Sequence, residues 1–376
     1  MLEKLYRTFL IKIPAVRELV LLCKESLRRM NGAYQRYAPP TWAVSEGETS
    51  TSAGKWAVIA DEFTWDNLSA SVDAVYLTPG NWRERMEQDK PELFFCESAW
   101  EGIDGSWNNM IFRNHEYRRD NRRVLFDILR YCREAGIPTV FWNKEDTPAF
   151  SDEPFGFIDT AMRFDHIFTT CAECIPAYQE MGHKSVHLMM FGYTPQLFSV
   201  MKPRPKQNIA VFLGSWYENN RERCQDMRDM FEMVLRQGME LRIYDRVSER
   251  HEPARQYPKE FMPYVRPMVP YRETGRIMNE ADYVININTV KDSKTMFARR
   301  VFEAMACGRI VISNDSVGMR QLFGRGVWFL GEPFDHRAEE QIIAEYINLV
   351  QTEYTFEKQM TAALHAAKIQ IGRERQ

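Results

Sequence analysis

Short apolar runs that alternate with helical segments are the feature that most constrains the fold of this sequence. Five such runs occupy residues 56–60, 93–96, 139–142, 166–169 and 186–190. Each is too short for a buried helix and apolar almost throughout, which is typical of strands covered on both faces in a parallel sheet. Amphipathic segments separate the runs, as at residues 118–135, which Gly136 and Pro138 end. The pattern predicts an α/β domain.

The same pattern begins again after a proline-containing stretch at residues 201–207. Its apolar runs occupy residues 209–213, 241–244, 283–287, 310–313 and 327–330. We therefore predict two α/β domains in tandem, the first at residues 55–203 and the second at residues 204–335. Residues 336–376 are predicted to form the last helices of the chain.

Composition limits the classes of function. A chain of 376 residues suits two domains of ordinary size, and its net charge of −3 offers no global attraction to nucleic acid. The seven cysteines are scattered, which is typical of a reducing compartment, and Cys171 and Cys174 form a lone CxxC pair that is a weak zinc or redox signal. No apolar run is long enough to span a bilayer and no signal peptide is visible, so we expect a cytoplasmic protein.

Residues 1–45 are a basic amphipathic segment with helical spacing of its apolar residues. The first 40 residues contain eight lysines and arginines against three acidic residues. Such a helix can lie on an anionic membrane surface, and it can equally pack against the body of the protein or a second subunit. We keep both expectations: peripheral membrane contact through residues 1–40, and packing that includes a homodimer. A linker rich in Ser, Thr and Gly follows at residues 45–54.

Residues 293–315 combine a helix start with cationic side chains. The spacing predicts a helix over residues 296–307, which Gly308 ends. Ser293 and Thr295 are natural N-caps, and the free N–H groups of a helix start favour an anion.

Arg299, Arg300 and Glu303 fall on one face of this predicted helix, where all three can meet one ligand. Arg300 is the first choice for binding a diphosphate, because a guanidinium contacts phosphate oxygens bidentately. A carboxylate beyond the cations suits a ribose diol, which is the role expected of Glu303. The alternative is an ordinary helix–strand unit whose charged face forms salt bridges.

Three segments of the chain carry a resemblance to a known family. FEAMACGRIVISND resembles the nucleotide-sugar-binding segment of GT-B glycosyltransferases with the "Glu, seven residues, Glu" signature. RVFEAMACG, ESAWEGIDGSW and FWNKED together resemble the CgeB-like branch, and the similarity covers about residues 55–330. The second Glu of the signature contacts the donor ribose, and Glu303 takes that place. Thr295 stands where the first Glu is expected, so we include Thr295 among the donor-binding residues.

The resemblance implies a GT-B fold, with two Rossmann-like domains facing a central cleft and C-terminal helices that cross back to the first domain. It implies a bacterial glycosyltransferase of cell-envelope polysaccharide biosynthesis that moves a sugar from a nucleotide sugar, expected to be a UDP-sugar, to a glycan, lipid-linked or protein acceptor. No cofactor is expected. Because no Asp-x-Asp motif ends a strand in the second domain, we expect no metal ion.

Further donor-binding candidates follow the first strands of the second domain. Gly214 and Ser215 lie between a strand and a helix, where backbone can approach a phosphate closely, although a simple tight turn explains them equally well. Tyr244 and Arg246 end the next strand and are expected to border the base.

Acidic and aromatic residues follow the strands of the first domain, where ligands of such sheets gather. We rank Glu97 first and Asp61 second as the catalytic acid or base. Trp100 and Trp107 are expected to pack on an acceptor sugar, and Lys144 to contact the acceptor or counter the donor phosphate. Buried core positions for the tryptophans, and pairing of Lys144 with its acidic neighbours, are the alternatives.

Two other functions remain open at this stage. A non-catalytic assembly protein that binds glycans or nucleotides would have kept the fold and lost the chemistry, as Thr295 suggests. A nucleotide-sugar epimerase or hydrolase would use the same fold for another reaction.

Overall fold

The computed structural model describes residues 55–114, 120–146, 150, 155–202, 204–248 and 253–370. The predicted basic segment, its expected membrane or subunit contact, and the predicted linker lie outside these ranges. Among the helices within them, none is long and apolar enough to cross a membrane.

Two six-stranded sheets, parallel throughout, form the body of the protein. The first contains β1 (Trp56–Ile59), β2 (Ala74–Tyr76), β3 (Leu93–Glu97), β5 (Thr139–Asn143), β7 (His166–Thr169) and β8 (Val186–Leu188), in the order β2-β1-β3-β5-β7-β8. The second contains β9 (Ile209–Gly214), β10 (Glu240–Asp245), β11 (Val265–Arg266), β12 (Tyr283–Asn286), β13 (Ile310–Ser313) and β14 (Val327–Phe329), in the order β11-β10-β9-β12-β13-β14. A small antiparallel pair joins β4 (Arg113–Asn114) to β6 (Phe155–Gly156).

Helices cover the sheets and connect most of the strands. They are α1 (Glu62–Ser69), α2 (Trp82–Asp89), α3 (Arg123–Ala135), α4 (Ile158–Ala161), α5 (Ile175–Glu180), α6 (Arg221–Arg236), α7 (Thr274–Asn279), α8 (Arg300–Ala306), α9 (Val317–Phe323), α10 (Glu339–Glu353) and α11 (Phe356–Ala366).

The central strands are buried on both faces, as their apolar sequences predict. In β1, Trp56 and Val58 join the hydrophobic cluster that continues into the second sheet, whereas Ala57 and Ile59 join a separate cluster on the opposite face. This alternation follows from the two-residue period of a strand, and it explains why no residue of β1 is polar.

Each sheet reverses its strand order at one place. In the first sheet the reversal lies between β1 and β3, and in the second between β9 and β12. Ligands of open α/β sheets bind beyond the carboxyl ends of the strands at such a point. A ligand site is therefore expected in the segments that follow β1, β3, β9 and β12.

The chain crosses from the first sheet to the second and then returns. Tyr193, at the first crossing, pairs with Thr355 at the return, and the N–H of Phe356 donates to the carbonyl of Tyr193 at 2.8 Å. Beyond this pair, α11 packs against α1 and β8 of the first sheet. Gly192 is required at the crossing, because a Cβ there would lie 2.7 Å from the backbone N of Phe356.

Candidate functional site

The loop after β3 folds around the carboxylate of Asp61, which follows β1. The N–H groups of Trp100, Glu101 and Gly102 donate to Asp61 at 3.0, 3.2 and 2.8 Å. Gly102 adopts a φ of 75°, and a Cβ there would lie 2.6 Å from the Tyr76 hydroxyl oxygen, so the turn needs glycine. Because its side chain points into this loop, Asp61 makes no cap hydrogen bond to α1, although it occupies the N-cap position.

Lys144, which follows β5, binds two carboxylates with one ammonium group. Its Nζ lies 3.3 Å from Asp61 and 3.3 Å from Glu97, while its side chain is 6% exposed. Burial lowers the pKa of Lys144, but the two carboxylates outweigh burial and hold it above its usual value. The carboxylates that Lys144 binds follow other strands, and they are not its own neighbours in the NKED segment, Glu145 and Asp146, with which the alternative expectation paired it.

Glu97 lies beneath this ion-pair cluster and is completely buried. It accepts hydrogen bonds from the backbone N–H of Asp61 and from the Thr64 hydroxyl. Burial raises the pKa of Glu97 to about 7, even though Lys144 opposes that rise. Its carboxylate is thus enclosed by protein donors, and the structure gives it no open side toward an acceptor.

The two tryptophans predicted to bind an acceptor lie in different surroundings. Trp100 is 37% exposed, and its ring packs edge-to-face on Phe112 and Phe157, with centroids 5.1 Å away in each case. Trp107 is fully buried, and its indole N–H donates to the carbonyl of Leu77 at 2.7 Å. Trp100 can pack on a ligand, whereas Trp107 belongs to the core, because its indole satisfies a buried strand-end carbonyl.

Glu303, on α8 of the second domain, reaches the boundary between the domains. Its Oε1 accepts from the Tyr271 hydroxyl at 2.7 Å and from Arg299 Nε at 3.1 Å, and the residue is 2% exposed. Tyr271 also accepts a hydrogen bond from Asn67 of the first domain, at 2.9 Å. Among the described residues, no hydrogen-bond donor reaches Oε2 of Glu303.

Arg299 and Arg300 diverge, contrary to the expectation that both meet one ligand. The guanidinium of Arg299 turns toward the first domain and stacks over the Phe63 ring at 4.1 Å. Arg300 turns toward the second sheet and donates to the carbonyl of Leu213 at the end of β9. Burial and the neighbouring Arg299 lower the pKa of Arg300 to about 9. Arg300 is thus a partly buried cation at the point where the second sheet reverses its strand order.

Three other arginines surround Tyr217, close to Arg300. The guanidinium carbons of Arg223 and Arg255 lie 4.4 and 3.9 Å from the Tyr217 ring centroid. The positive charge of Arg246 lowers the pKa of both Tyr217 and Arg300. Burial raises the pKa of Tyr217, but these arginines outweigh burial and lower it. We call Arg223, Arg246, Arg255 and Arg300 the arginine group.

The remaining donor-binding candidates are spread over this region. The carbonyl of Gly214 accepts from Tyr257, and that of buried Ser215 accepts from Arg223 at 3.1 Å, so both residues border the arginine group. Tyr244 packs against the core beside β9. The Thr295 hydroxyl instead contacts the first domain, where it donates to the carbonyl of Thr170 at 2.9 Å.

The helix predicted over residues 296–307 is shorter in the structure and begins at Arg300. Ser293 caps a turn ahead of it by accepting from the N–H of Met296 at 2.9 Å, and its hydroxyl donates to Glu173 at 2.7 Å. Residues 293–296 therefore tie the two domains together.

Sequence reasoning did not identify Tyr217, Arg255 or Tyr271 as site residues. Tyr217 lies on an irregular segment, and Arg255 and Tyr271 lie in single 3₁₀ turns. Long-range packing brings all three to the cleft, and no local pattern marks them. Among the described residues, no group of three or more His, Cys, Asp and Glu side chains is arranged to hold a metal ion.

Comparisons with known proteins agree with this architecture. Residues 221–365 match the model of a glycosyl transferase-like family. The crystal structure of Anabaena Alr3699/HepE in complex with UDP and glucose aligns with a TM-score of 0.52 at 14% sequence identity, covering 83% of this chain and 99% of that chain. The HepE complex with UDP-glucose aligns with a TM-score of 0.50 at 10% identity, covering 84% and 99%. A comparison with curated proteins finds no match.

These similarities confirm the predicted GT-B fold, and the family match confirms a glycosyltransferase domain in the C-terminal part of the chain. They do not distinguish the CgeB-like branch, so that assignment stays a prediction.

Proposed function

We propose that this protein transfers a sugar from a UDP-sugar to a hydroxyl of a glycan, lipid-linked or protein acceptor, without a metal ion, as a member of the CgeB-like branch. The reaction takes place in the cleft between the two domains. The donor lies on the second domain and the acceptor on the first.

The arginine group is the observation that carries this proposal. Four guanidinium groups converge beyond β9 and β10, and within the described residues Arg223, Arg246 and Arg300 form no ion pair with a carboxylate. Clustered cations repel one another, and a polyanion relieves that repulsion. A nucleoside diphosphate supplies adjacent phosphates that several guanidinium groups can share.

Two further observations support a UDP-sugar. Glu303 presents Oε2 beside the arginine group, where it can accept from a ribose hydroxyl. HepE, which shares the fold, has been crystallised with UDP and with UDP-glucose. In the same arrangement the arginine group would stabilise the diphosphate as it leaves the sugar, which protein cations can do without a metal.

The acceptor proposal depends on the exposed face of Trp100. An aromatic face beside polar groups suits the C–H groups of a sugar ring, and Trp100 is the exposed tryptophan of this loop. We further propose a cytoplasmic location, with residues 1–40 contacting either the membrane or a second subunit.

Isothermal titration of UDP tests the donor site. We expect R300Q and R246Q each to weaken UDP binding at least tenfold. R236Q is the matched control, because Arg236 lies on α6 in an exposed pair with Glu232, and its UDP affinity should stay within twofold. Unchanged UDP affinity in R300Q and R246Q would overturn the assignment of the donor site.

Acceptor-dependent release of UDP tests the reaction. UDP-sugars are incubated with and without a panel of saccharide, lipid-linked and peptide acceptors. Release that requires an acceptor, with a new glycosidic product, supports transfer. Release at the same rate without acceptor identifies a hydrolase, and binding without any release identifies a non-catalytic protein.

A further inference from the structure

The aromatic ring of Tyr217 contacts two cations of the arginine group at once. The guanidinium carbon of Arg255 lies 3.9 Å from the ring centroid, and that of Arg223 lies 4.4 Å from it. Both distances are within the range at which the face of an aromatic ring attracts a cation. The two cations come from different elements, because Arg223 lies on α6 and Arg255 lies in the 3₁₀ turn Pro253–Arg255.

Backbone hydrogen bonds fix Tyr217 between these two elements. Its carbonyl accepts from the N–H of Asn220 at 2.8 Å and from the Cys224 thiol at 3.0 Å, which holds it at the start of α6. On the other side, the N–H of Glu218 donates to the carbonyl of Ala254 in the 3₁₀ turn, at 3.0 Å. The segment between β9 and α6 is thus joined to both the helix and the turn, and the ring is held where the two elements meet.

A ring holds a guanidinium without neutralising it, whereas a carboxylate cancels its charge. Nη1 of Arg223 donates to the carbonyl of Ser215 at 3.1 Å, and in the part of the chain that the structure describes no carboxylate pairs with Arg223. Arg228, further along α6, shows the other arrangement, since it lies 5.9 Å from the Trp216 ring and also pairs with Glu260. The Tyr217 ring therefore keeps the charge of Arg223 available to an anion.

Two carbonyl groups at the end of β9 connect this ring-bound pair to Arg300. The carbonyl of Leu213 accepts from Arg300, and that of Ser215 accepts from Arg223. Because Leu213 and Ser215 are two residues apart, both guanidinium groups are anchored at the same strand end. The ring thus contributes Arg223 and Arg255 to the place where Arg300 already lies.

We propose that Tyr217 is a positioning residue of the donor site, and that its aromatic ring holds Arg223 and Arg255 in place to bind the phosphates of the donor. This inference rests on the proposed function, because it takes the arginine group as the diphosphate site. The ring performs this role, the hydroxyl is dispensable, and neither contacts the nucleobase. Loss of the ring should therefore weaken binding more for a ligand with more phosphates.

Titrations with UDP, UMP and uridine separate contacts to phosphate from contacts to the base. We expect Y217L, which removes the ring, to weaken UDP binding by about tenfold or more, UMP binding less, and uridine binding by no more than about twofold. Y217F keeps the ring and should recover most of the affinity for UDP. Y131L is the matched control, because the Tyr131 ring of the first domain also contacts a guanidinium, that of Arg83 at 5.9 Å, and its UDP affinity should stay within about twofold of the wild type.

A double-mutant cycle tests whether the ring acts through the two arginines. In R223Q/R255Q the ring has no guanidinium to hold, so adding Y217L should weaken UDP binding by less than about twofold. Low ionic strength keeps the affinities measurable, because phosphate contacts are least screened there. A further loss of about tenfold in that background would show that the ring acts by another route, and would overturn the inference.

The outcomes separate this inference from the proposed function. If the wild type binds UDP and Y217L binds it within about threefold of the wild type, the ring does not position the arginines and the proposed function stands. An equal loss for uridine and UDP also overturns the inference, because the ring would then contact the base or support the whole fold. R223Q and R255Q give an independent result should Y217L fail to fold, since unchanged UDP affinity in both overturns the inference. If the wild type does not bind UDP, the proposed function fails and this inference fails with it.

Discussion

The hydroxyl of Tyr271 donates to Oε1 of Glu303 across 2.7 Å, at the boundary of the two domains. The same hydroxyl accepts from Asn67 of the first domain at 2.9 Å. One phenol therefore connects the proposed ribose-binding carboxylate to the facing domain. Burial and the nearby Glu303 carboxylate raise the pKa of Tyr271 well above its usual value, so the hydroxyl keeps its proton and stays a donor.

The variant Y271F tests this connection. It removes two buried hydrogen bonds and leaves the Asn67 amide without its tyrosine partner, so we expect a loss of about 1–3 kcal/mol in the free energy of unfolding. UDP affinity should fall, because Glu303 is then oriented by Arg299 alone. Urea unfolding and UDP titration measure the two effects. Y283F is the control, since Tyr283 bonds Glu339 away from the cleft and its loss should leave UDP affinity unchanged.

The variant T295V separates two roles for Thr295. The hydroxyl donates to Thr170 and accepts from the N–H of Ala172 at 2.9 Å, and both partners belong to the first domain. We expect a loss of about 1–2 kcal/mol in unfolding free energy, with UDP affinity within twofold of the wild type. T352V, on the exposed surface of α10, should change neither quantity appreciably. A tenfold loss of UDP affinity without destabilisation would instead place Thr295 in the donor site.

Removing the ammonium group of Lys144 should lower the free energy of unfolding substantially. K144M leaves Asp61 and Glu97 side by side without their shared cation, and breaking a buried ion pair in this way typically costs about 3–5 kcal/mol. K206M is the contrast, because Lys206 is 49% exposed in its pair with Glu339 and such pairs contribute about 0–1 kcal/mol. Adding E97Q to K144M should recover part of the loss in a double-mutant cycle. Additive losses would show that the two residues do not interact.

Asp146 predicts a pH dependence of stability. It accepts from Tyr178 and Asn143 in a fully buried site, where burial raises its pKa from 3.8 to about 7. The folded state therefore binds a proton that the unfolded state has released, so this contribution is present below pH 4 and is lost as the pH rises through 7. D146N removes the charge, and at pH 8 it should be more stable than the wild type by about 2–4 kcal/mol.

Two histidines change the stability with pH in the opposite direction to Asp146. The quantity to follow is therefore the difference in unfolding free energy between D146N and the wild type. Burial lowers the pKa of His166 and of His187, and their contribution is lost as the pH falls below their unfolded value of 6.5. Both proteins contain these histidines, so the difference curve isolates Asp146. The advantage of D146N should shrink steadily between pH 8 and pH 4. A difference that does not change with pH would contradict a raised pKa at Asp146.

The buried strands of four or more residues could be predicted from the sequence, because short runs of mostly apolar residues between helical segments are distinctive. The strands β13 and β7 occupy the predicted residues, whereas β2 and β11, with three and two residues, were not predicted. An edge strand this short carries no periodicity, and its assignment depends on the neighbour to which it hydrogen-bonds. The start of α8 was misplaced because the residues before it bond to the other domain instead of continuing the helix.

The site residues that follow strands could be predicted from the sequence. Those that lie on loops could not. Asp61 and Lys144 follow strands, so their convergence could be expected from a parallel sheet. Trp107 could not be assigned to the core in advance, because its carbonyl partner, Leu77, lies after a strand that the sequence does not reveal. Tyr217 and Arg255 meet through tertiary packing alone.

The pairing of Tyr193 with Thr355 joins the two described places where the chain passes between the domains. The N–H of Tyr193 donates to the carbonyl of Tyr354, and the N–H of Phe356 donates to the carbonyl of Tyr193, so the two segments are held side by side. One crossing alone would restrain the domains only through its own backbone, whereas two joined crossings restrain them together. A side chain at Gly192, where a Cβ would lie 2.7 Å from the backbone N of Phe356, would therefore disturb the junction of the domains as well as the local turn.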